Sequence, residues 1–256
     1  MNRIMAFCRR NIFEVMRDPL SYIFCIGFPT LMLFIMTLVN TSIPAEAGMT
    51  VFRIDNLSGG IAIFGLTFVM LFTSLNISKD RSGAFLVRMY ATPMTSADFS
   101  IGYMLPMLII SAAQILITYI VSFIISLFTD VQLSIPGMLL SLLSLIPSAV
   151  FFIGLGLLAG TIFNDKAAPG ACSLLISLGS FLGGIFFDAE STGGPMLTIC
   201  KCLPFFYCTK AARSAMALDF SADNYVIPMI VVCASAVVIT VLAIVVFNSR
   251  MKADLS

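Results

Sequence analysis

IGYMLPMLIISAAQILITYIVSFIISLF, residues 101–128, contains no Asp, Glu, Lys, Arg or His. It exceeds the roughly 20 apolar residues that a helix needs to cross a bilayer. Five further uncharged apolar stretches surround it, at 20–39, 59–77, 135–163, 167–187 and 225–247. With 59% hydrophobic residues and a mean hydropathy of +1.05, the chain reads as an all-α polytopic membrane protein with six transmembrane helices. Six spans and their loops consume 256 residues and leave no room for a soluble catalytic domain.

The charges set an orientation. With both termini in the cytoplasm, the inside holds Arg3, Arg9, Arg10, Arg17, Lys79, Arg81, Arg88, Lys166, Arg250 and Lys252. The outside then holds Arg53, Lys201, Lys210 and Arg213. Ten cations against four follow the positive-inside rule, and an even number of spans returns the C-terminus to the starting side. The motif Ala45-Glu46-Ala47 looks like a signal-peptidase site. The apolar run before it is longer than a signal h-region, so the first span is read as retained.

Residues 1–19, MNRIMAFCRRNIFEVMRDP, are patterned as an interfacial amphipathic helix or as a charged stop for membrane insertion and nothing more. At 100° per residue Ile4, Met5, Cys8, Ile12, Val15 and Met16 share one face, and Arg3, Arg10, Glu14 and Arg17 the opposite one. Pro19 breaks this helix and turns the chain into the first span. The largest inside loop, 78–100, carries Phe85, Leu86 and Met89 at helical spacing, with Arg81 and Arg88 seven residues apart. Pro93 is expected to end that short helix and Ser96 to cap the entry into the third span. Such a helix either seals the bundle or docks into another protein's groove. The outer segment 188–224 is too apolar for a solvated loop, and is expected to form re-entrant outer helices between spans five and six.

Several chemistries are excluded. Without histidine there is no Ser/His/Asp or Cys/His dyad and no HExxH zinc site. No GxxxxGK[ST] motif occurs, and the inside acids Glu14, Asp18, Asp80, Asp98 and Asp165 are scattered singly. Cys200, Cys202 and Cys208 cluster in the outer segment; they are read as packing residues, a disulfide among them is left open, and no metal site is assigned. No ionisable residue lies within a span, so a proton- or sodium-driven carrier has nowhere to bind its driving ion. Ser111, Gln114 and Thr118 form a mild polar stripe suited to a helix–helix contact or to a pathway lining. The Gly156–Gly160 and Gly179–Gly183 steps predict close helix packing. A carrier of this kind borrows its energy from elsewhere or is a passive channel.

Taken together these pieces resemble the type-2 ABC exporter permease family, the separate membrane subunits of ATP-driven exporters. FCRRNIFEVMRDPLSYIFCIGFPTLMLF looks like its amphipathic connecting helix, with Arg17-Asp18-Pro19 stepping into span one. KDRSGAFLVRMYATPM is similar to its coupling loop, with Asp80, Gly83, Phe85–Tyr90 and Thr92-Pro93. SFLGGIFF and then LPFFYCTKAARSAM resemble its small-residue exit from span five, re-entrant hairpin and Ala/Arg helix. The chain departs from the family where it has Asp80-Arg81-Ser82 rather than a Glu, and Asp188 rather than a Pro.

The resemblance implies a single permease domain over 1–256, with connecting helix 1–19, bundle 20–247, coupling loop 78–100, outer re-entrant segment 188–224 and tail 248–256. It implies a cell-membrane protein that pairs with a second permease chain, identical or related, and docks a cytoplasmic ATP-binding subunit. ATP and Mg are used by that subunit and none is bound directly here. Docking would use Phe85, Leu86, Arg88 and Met89, with Asp80 and Arg81 as charge partners, and the connecting helix would add Arg10, Glu14 and Arg17. Spans two and five would supply substrate-facing residues for a drug-like, peptide, lipid-linked or polysaccharide substrate. No nucleic acid partner is expected. The alternative is a non-transport membrane scaffold, sensory or immunity protein without ATP coupling.

Overall fold

The computed structural model describes residues 2–44, 50–83, 85–90, 92, 94–129 and 131–255. Ala45, Glu46 and Ala47 of the cleavage-like motif, and Pro93, lie outside the described residues. Helix α1, Asn2–Arg17, ends at Asp18, whose carboxylate accepts from the Leu20 amide (3.2 Å) and the Ser21 hydroxyl (2.7 Å). That N-cap, with Pro19 in the first turn, starts α2, Pro19–Ser42, which contains a π-helical turn at Ile23–Gly27. Then come α3 (Ile54–Ser82), α4 (Phe85–Tyr90), α5 (Ser96–Ser126) and α6 (Ile135–Ile162). The chain continues through α7 (Ala168–Leu182), α8 (Ala189–Thr192), α9 (Gly194–Lys201), α10 (Pro204–Met216) and α11 (Ala222–Lys252).

Among the described residues five helices are long and apolar enough to cross a membrane: α2, α3, α5, α6 and α11. The chain is a multi-pass membrane protein. The fifth apolar stretch, expected to run over 167–187, is helical only to Leu182. At about 1.5 Å per residue its 15 residues reach roughly 22 Å, short of a hydrocarbon core of about 30 Å. Gly183 and Gly184 stop it, and Gly184 has φ +66°, a left-handed conformation that glycine adopts without strain. Asp188 then caps α8 through the Glu190 and Ser191 amides.

The cap of α5 also differs from the expectation. Thr95, not Ser96, is the N-cap, because Asp98 completes a capping box: its carboxylate accepts from the Thr95 amide (2.8 Å) and its own amide reaches the Thr95 hydroxyl (3.3 Å).

Helix α3 is the hub and packs against α2, α5, α6, α7 and α10. Gly156 and Gly160 of α6 let the backbones of the two helices approach closely. A Cβ on them would lie 2.4 Å from the Met70 carbonyl oxygen and 2.6 Å from that of Ser74. The Gly179 step is looser, its nearest neighbour being the Phe205 ring at 3.5 Å. On α5, Ser111, Gln114 and Thr118 are all buried; the Gln114 amide presses on Gly65 of α3 and donates to the Thr118 hydroxyl (3.1 Å). Their stripe therefore fills a helix–helix contact. The segment between α7 and α11 is drawn into the bundle, with Phe205 stacked on Phe152 at 5.7 Å and Phe206 and Cys208 buried.

Candidate functional site

A polar cluster lies where α1, the end of α3, α4 and the start of α5 meet. Helix α1 turns Phe7, Cys8, Asn11 and Val15 into the bundle. Phe7 rests on Gly102 of α5, where an added Cβ would meet its ring at 2.4 Å. It makes edge contacts with Phe99 (5.5 Å) and Tyr103 (5.0 Å) and stacks on Phe85 of α4 (6.5 Å). Asn11 donates its side-chain amide to the Gly102 carbonyl at 3.0 Å. The bundle-facing side is thus rotated from the expected apolar face, leaving Met5 and Met16 exposed. The physical reason is that this helix meets two apolar surroundings, and one hydrophobic stripe cannot say which of them is protein.

Arg10 leaves α1 on the charged side and grips Asp80 of α3 with both terminal nitrogens, Nη1 to Oδ2 at 2.6 Å and Nη2 to Oδ1 at 2.9 Å. The Tyr103 hydroxyl donates to the same Oδ2 at 2.7 Å. Arg10 also pairs with Glu14 (2.7 Å), which reaches toward Lys79 (3.6 Å), and its guanidinium lies 3.9 Å from the centre of the Phe85 ring. The hydrogen bond to Asp80 holds Arg10 above its ordinary pKa, against the opposing effect of burial. One guanidinium therefore touches α1, α3 and α4 through a bidentate pair and a cation–π contact.

The other expected site residues are placed as follows. Leu86 is fully buried and fixes α4 to the bundle, while Phe85 and Met89 are half-buried at its edge. Arg88 and Arg17 are exposed. Arg81 turns back and donates to the Thr161 carbonyl of α6. Asp80 is buried and bonded within the chain. Sequence reasoning missed Phe7, Asn11 and Tyr103. The i, i+4, i+8 series Phe7, Asn11, Val15 carried the signal for the first two; nothing in the sequence pairs Tyr103 with Asp80.

A second cluster closes the opposite end. Arg213 of α10 donates to the carbonyls of Asn56 on α3 (3.0 Å) and Ile185 beyond α7 (3.1 Å), in the space left by Gly59 and Gly60. Lys210 pairs with Glu190 of α8. On α6, Ser141 donates to the Ala212 carbonyl (2.9 Å) and accepts from the Tyr119 hydroxyl. Cys200 and Cys208 are buried, Cys202 is exposed, and all three are free thiols. No group of three or more metal-ligating side chains occurs among the described residues.

No curated protein gave a match to the chain. The family described as ABC-2 type transporter matches residues 2–217, which takes in α1 to α10. The chain belongs to the ABC-2 type transporter family, as a membrane component of an ABC transporter.

Proposed function

We propose that this chain is the permease subunit of an ABC exporter, moving its substrate outward with ATP hydrolysed by a separate subunit. In this reading both termini are cytoplasmic, the membrane is the cell membrane, and the working unit contains two permease chains. Helix α7 together with the α8–α10 hairpin makes the remaining crossing, which brings the spans to six with a re-entrant outer segment. ATP and Mg stay on the partner subunit.

The observation that supports coupling most directly is the position of Arg10. It ties α4, the short helix offered to the partner, to Asp80 at the end of α3, the helix on which most of the bundle packs. A displacement of α4 is then felt at α3 without passing through a flexible loop. The docking surface in this reading is the exposed side of α4, with Arg88 and the edges of Phe85 and Met89. Leu86, Asp80, Arg10 and Glu14 hold that surface in place, and Arg81 braces it on α6.

Mild-detergent purification of the tagged chain from native membranes, followed by mass spectrometry, tests the reading. A stoichiometric soluble subunit with a P-loop and a second permease chain are the expected companions. Recovery of the chain alone, with no crosslink from α4, would sink the reading in favour of a scaffold.

A further inference from the structure

Helix α1 presents three sides, and the bundle and the Asp80 cluster occupy only two of them. The third carries Met5, Phe13 and Met16, which are 64%, 47% and 57% exposed. Arg9 and Arg17 are exposed on the same side, and the Arg9 guanidinium lies 5.6 Å from the Phe13 ring centre. At its C-terminal end a cavity of about 750 Å³ opens between α1, the Asp18-Pro19 turn and the end of α3, with Phe13, Arg17, Pro19 and Lys79 on its walls.

The acids of this cavity are already engaged. Glu14 pairs with Arg10, and Asp18 caps α2 and holds Ser21. Arg17 has no hydrogen bond or ion pair among the described residues, and Lys79, with a side chain 74% exposed, makes one long ion pair with Glu14 (3.6 Å) that leaves it donors to spare. Cationic donors are left over beside large apolar side chains. An acidic protein surface would match the arginines but not three exposed apolar side chains. A bilayer interface matches both, with methionines and phenylalanine among the acyl chains and cations at headgroup depth.

We propose that this side of α1 binds anionic phospholipid from the leaflet in which the helix lies. Arg17 and Lys79 hold one headgroup phosphate in the cavity, Arg9 holds a neighbouring one, and Met5, Phe13 and Met16 sit in the acyl region. Because Arg10 joins the same helix to Asp80, bound lipid fixes the platform on which α4 rests. The proposal stands whether or not the chain works as an exporter.

Native mass spectrometry of the full chain in detergent, titrated with phosphatidylglycerol or phosphatidylcholine, tests it. Phosphatidylglycerol is expected to bind preferentially. Each surface arginine strengthens binding to an anionic lipid about five-fold, so Arg9→Gln with Arg17→Gln lowers that affinity about thirty-fold. The single Arg17→Gln lowers it about five-fold, and the phosphatidylcholine signal stays where it was. Arg250→Gln, at the far end of α11, leaves phosphatidylglycerol binding intact. Equal binding of both lipids, or an equal loss in Arg250→Gln, overturns the site. Retained lipid binding with loss of a co-purifying acidic protein would overturn it too, and assign the surface to that protein.

Discussion

Arg10 and Asp80, seventy positions apart in the sequence, form a bidentate ion pair that joins the N-terminal helix to the end of the central one. Asp80 is almost fully buried while Arg10 is about one-third exposed, and Tyr103 supplies the third bond to the carboxylate. Removing one partner of a buried pair strands the other, at a cost of about 3 kcal/mol. Arg10→Ala should therefore destabilise more than Asp80→Ala, because it strands the buried carboxylate, whereas Asp80→Ala leaves a partly exposed guanidinium that keeps Glu14. Thermal unfolding in detergent measures the order; equal midpoints would show that the stranded Asp80 carboxylate is relieved by protonation or by water.

Leu86 and Arg88 should separate packing from partner binding. Leu86→Ala opens a cavity under α4 and is expected to cost about 3 kcal/mol, visible as a lower unfolding midpoint. Arg88→Glu lies on the exposed side of α4, opens no cavity and should lower the midpoint less than Leu86→Ala does. Its effect should appear in recovery of the ATP-binding subunit. Full recovery with Arg88→Glu would remove Arg88 from the docking surface.

Two glycine substitutions should have opposite signs. Gly156→Ala drives a methyl to 2.4 Å from a backbone oxygen of α3, which cannot yield locally, and should cost about 1–3 kcal/mol. Gly170→Ala on α7 meets nothing within 4 Å and should stabilise by up to about 1 kcal/mol through helix propensity. Unfolding midpoints of the two variants, compared with the parent, decide it. A neutral Gly156→Ala would mean that α3 and α6 are not in close contact.

Arg213 should hold the outer segment shut. A membrane-impermeant maleimide added to whole cells is expected to label Cys202 and spare the buried Cys200 and Cys208. Arg213→Ala removes the bonds to the Asn56 and Ile185 carbonyls, and labelling of Cys208 should then rise. Labelling of Cys202 only after the cells are opened would place this end of the bundle inside.

The membrane class, the positions of the apolar helices and the amphipathic character of residues 2–17 were legible because each is local. A run of uncharged residues or a periodic stripe has one stable answer in a bilayer, whatever surrounds it. The family resemblance was legible too, since its motifs follow one another in order along the chain. The length of α7 was not, because two glycines inside an apolar run carry no polarity signal, and only the turn at Gly184 shows that they end the helix.

What the tertiary structure alone decided is which side of each helix meets protein. Lipid and protein interior are equally apolar, so hydrophobicity cannot tell Met5, which is exposed, from Val15, which is buried. Nor could it show that Asp80 turns inward to Arg10 and Tyr103 rather than outward to a partner. That pairing depends on where α1 crosses the start of α5, and this is fixed by Phe7 settling on Gly102.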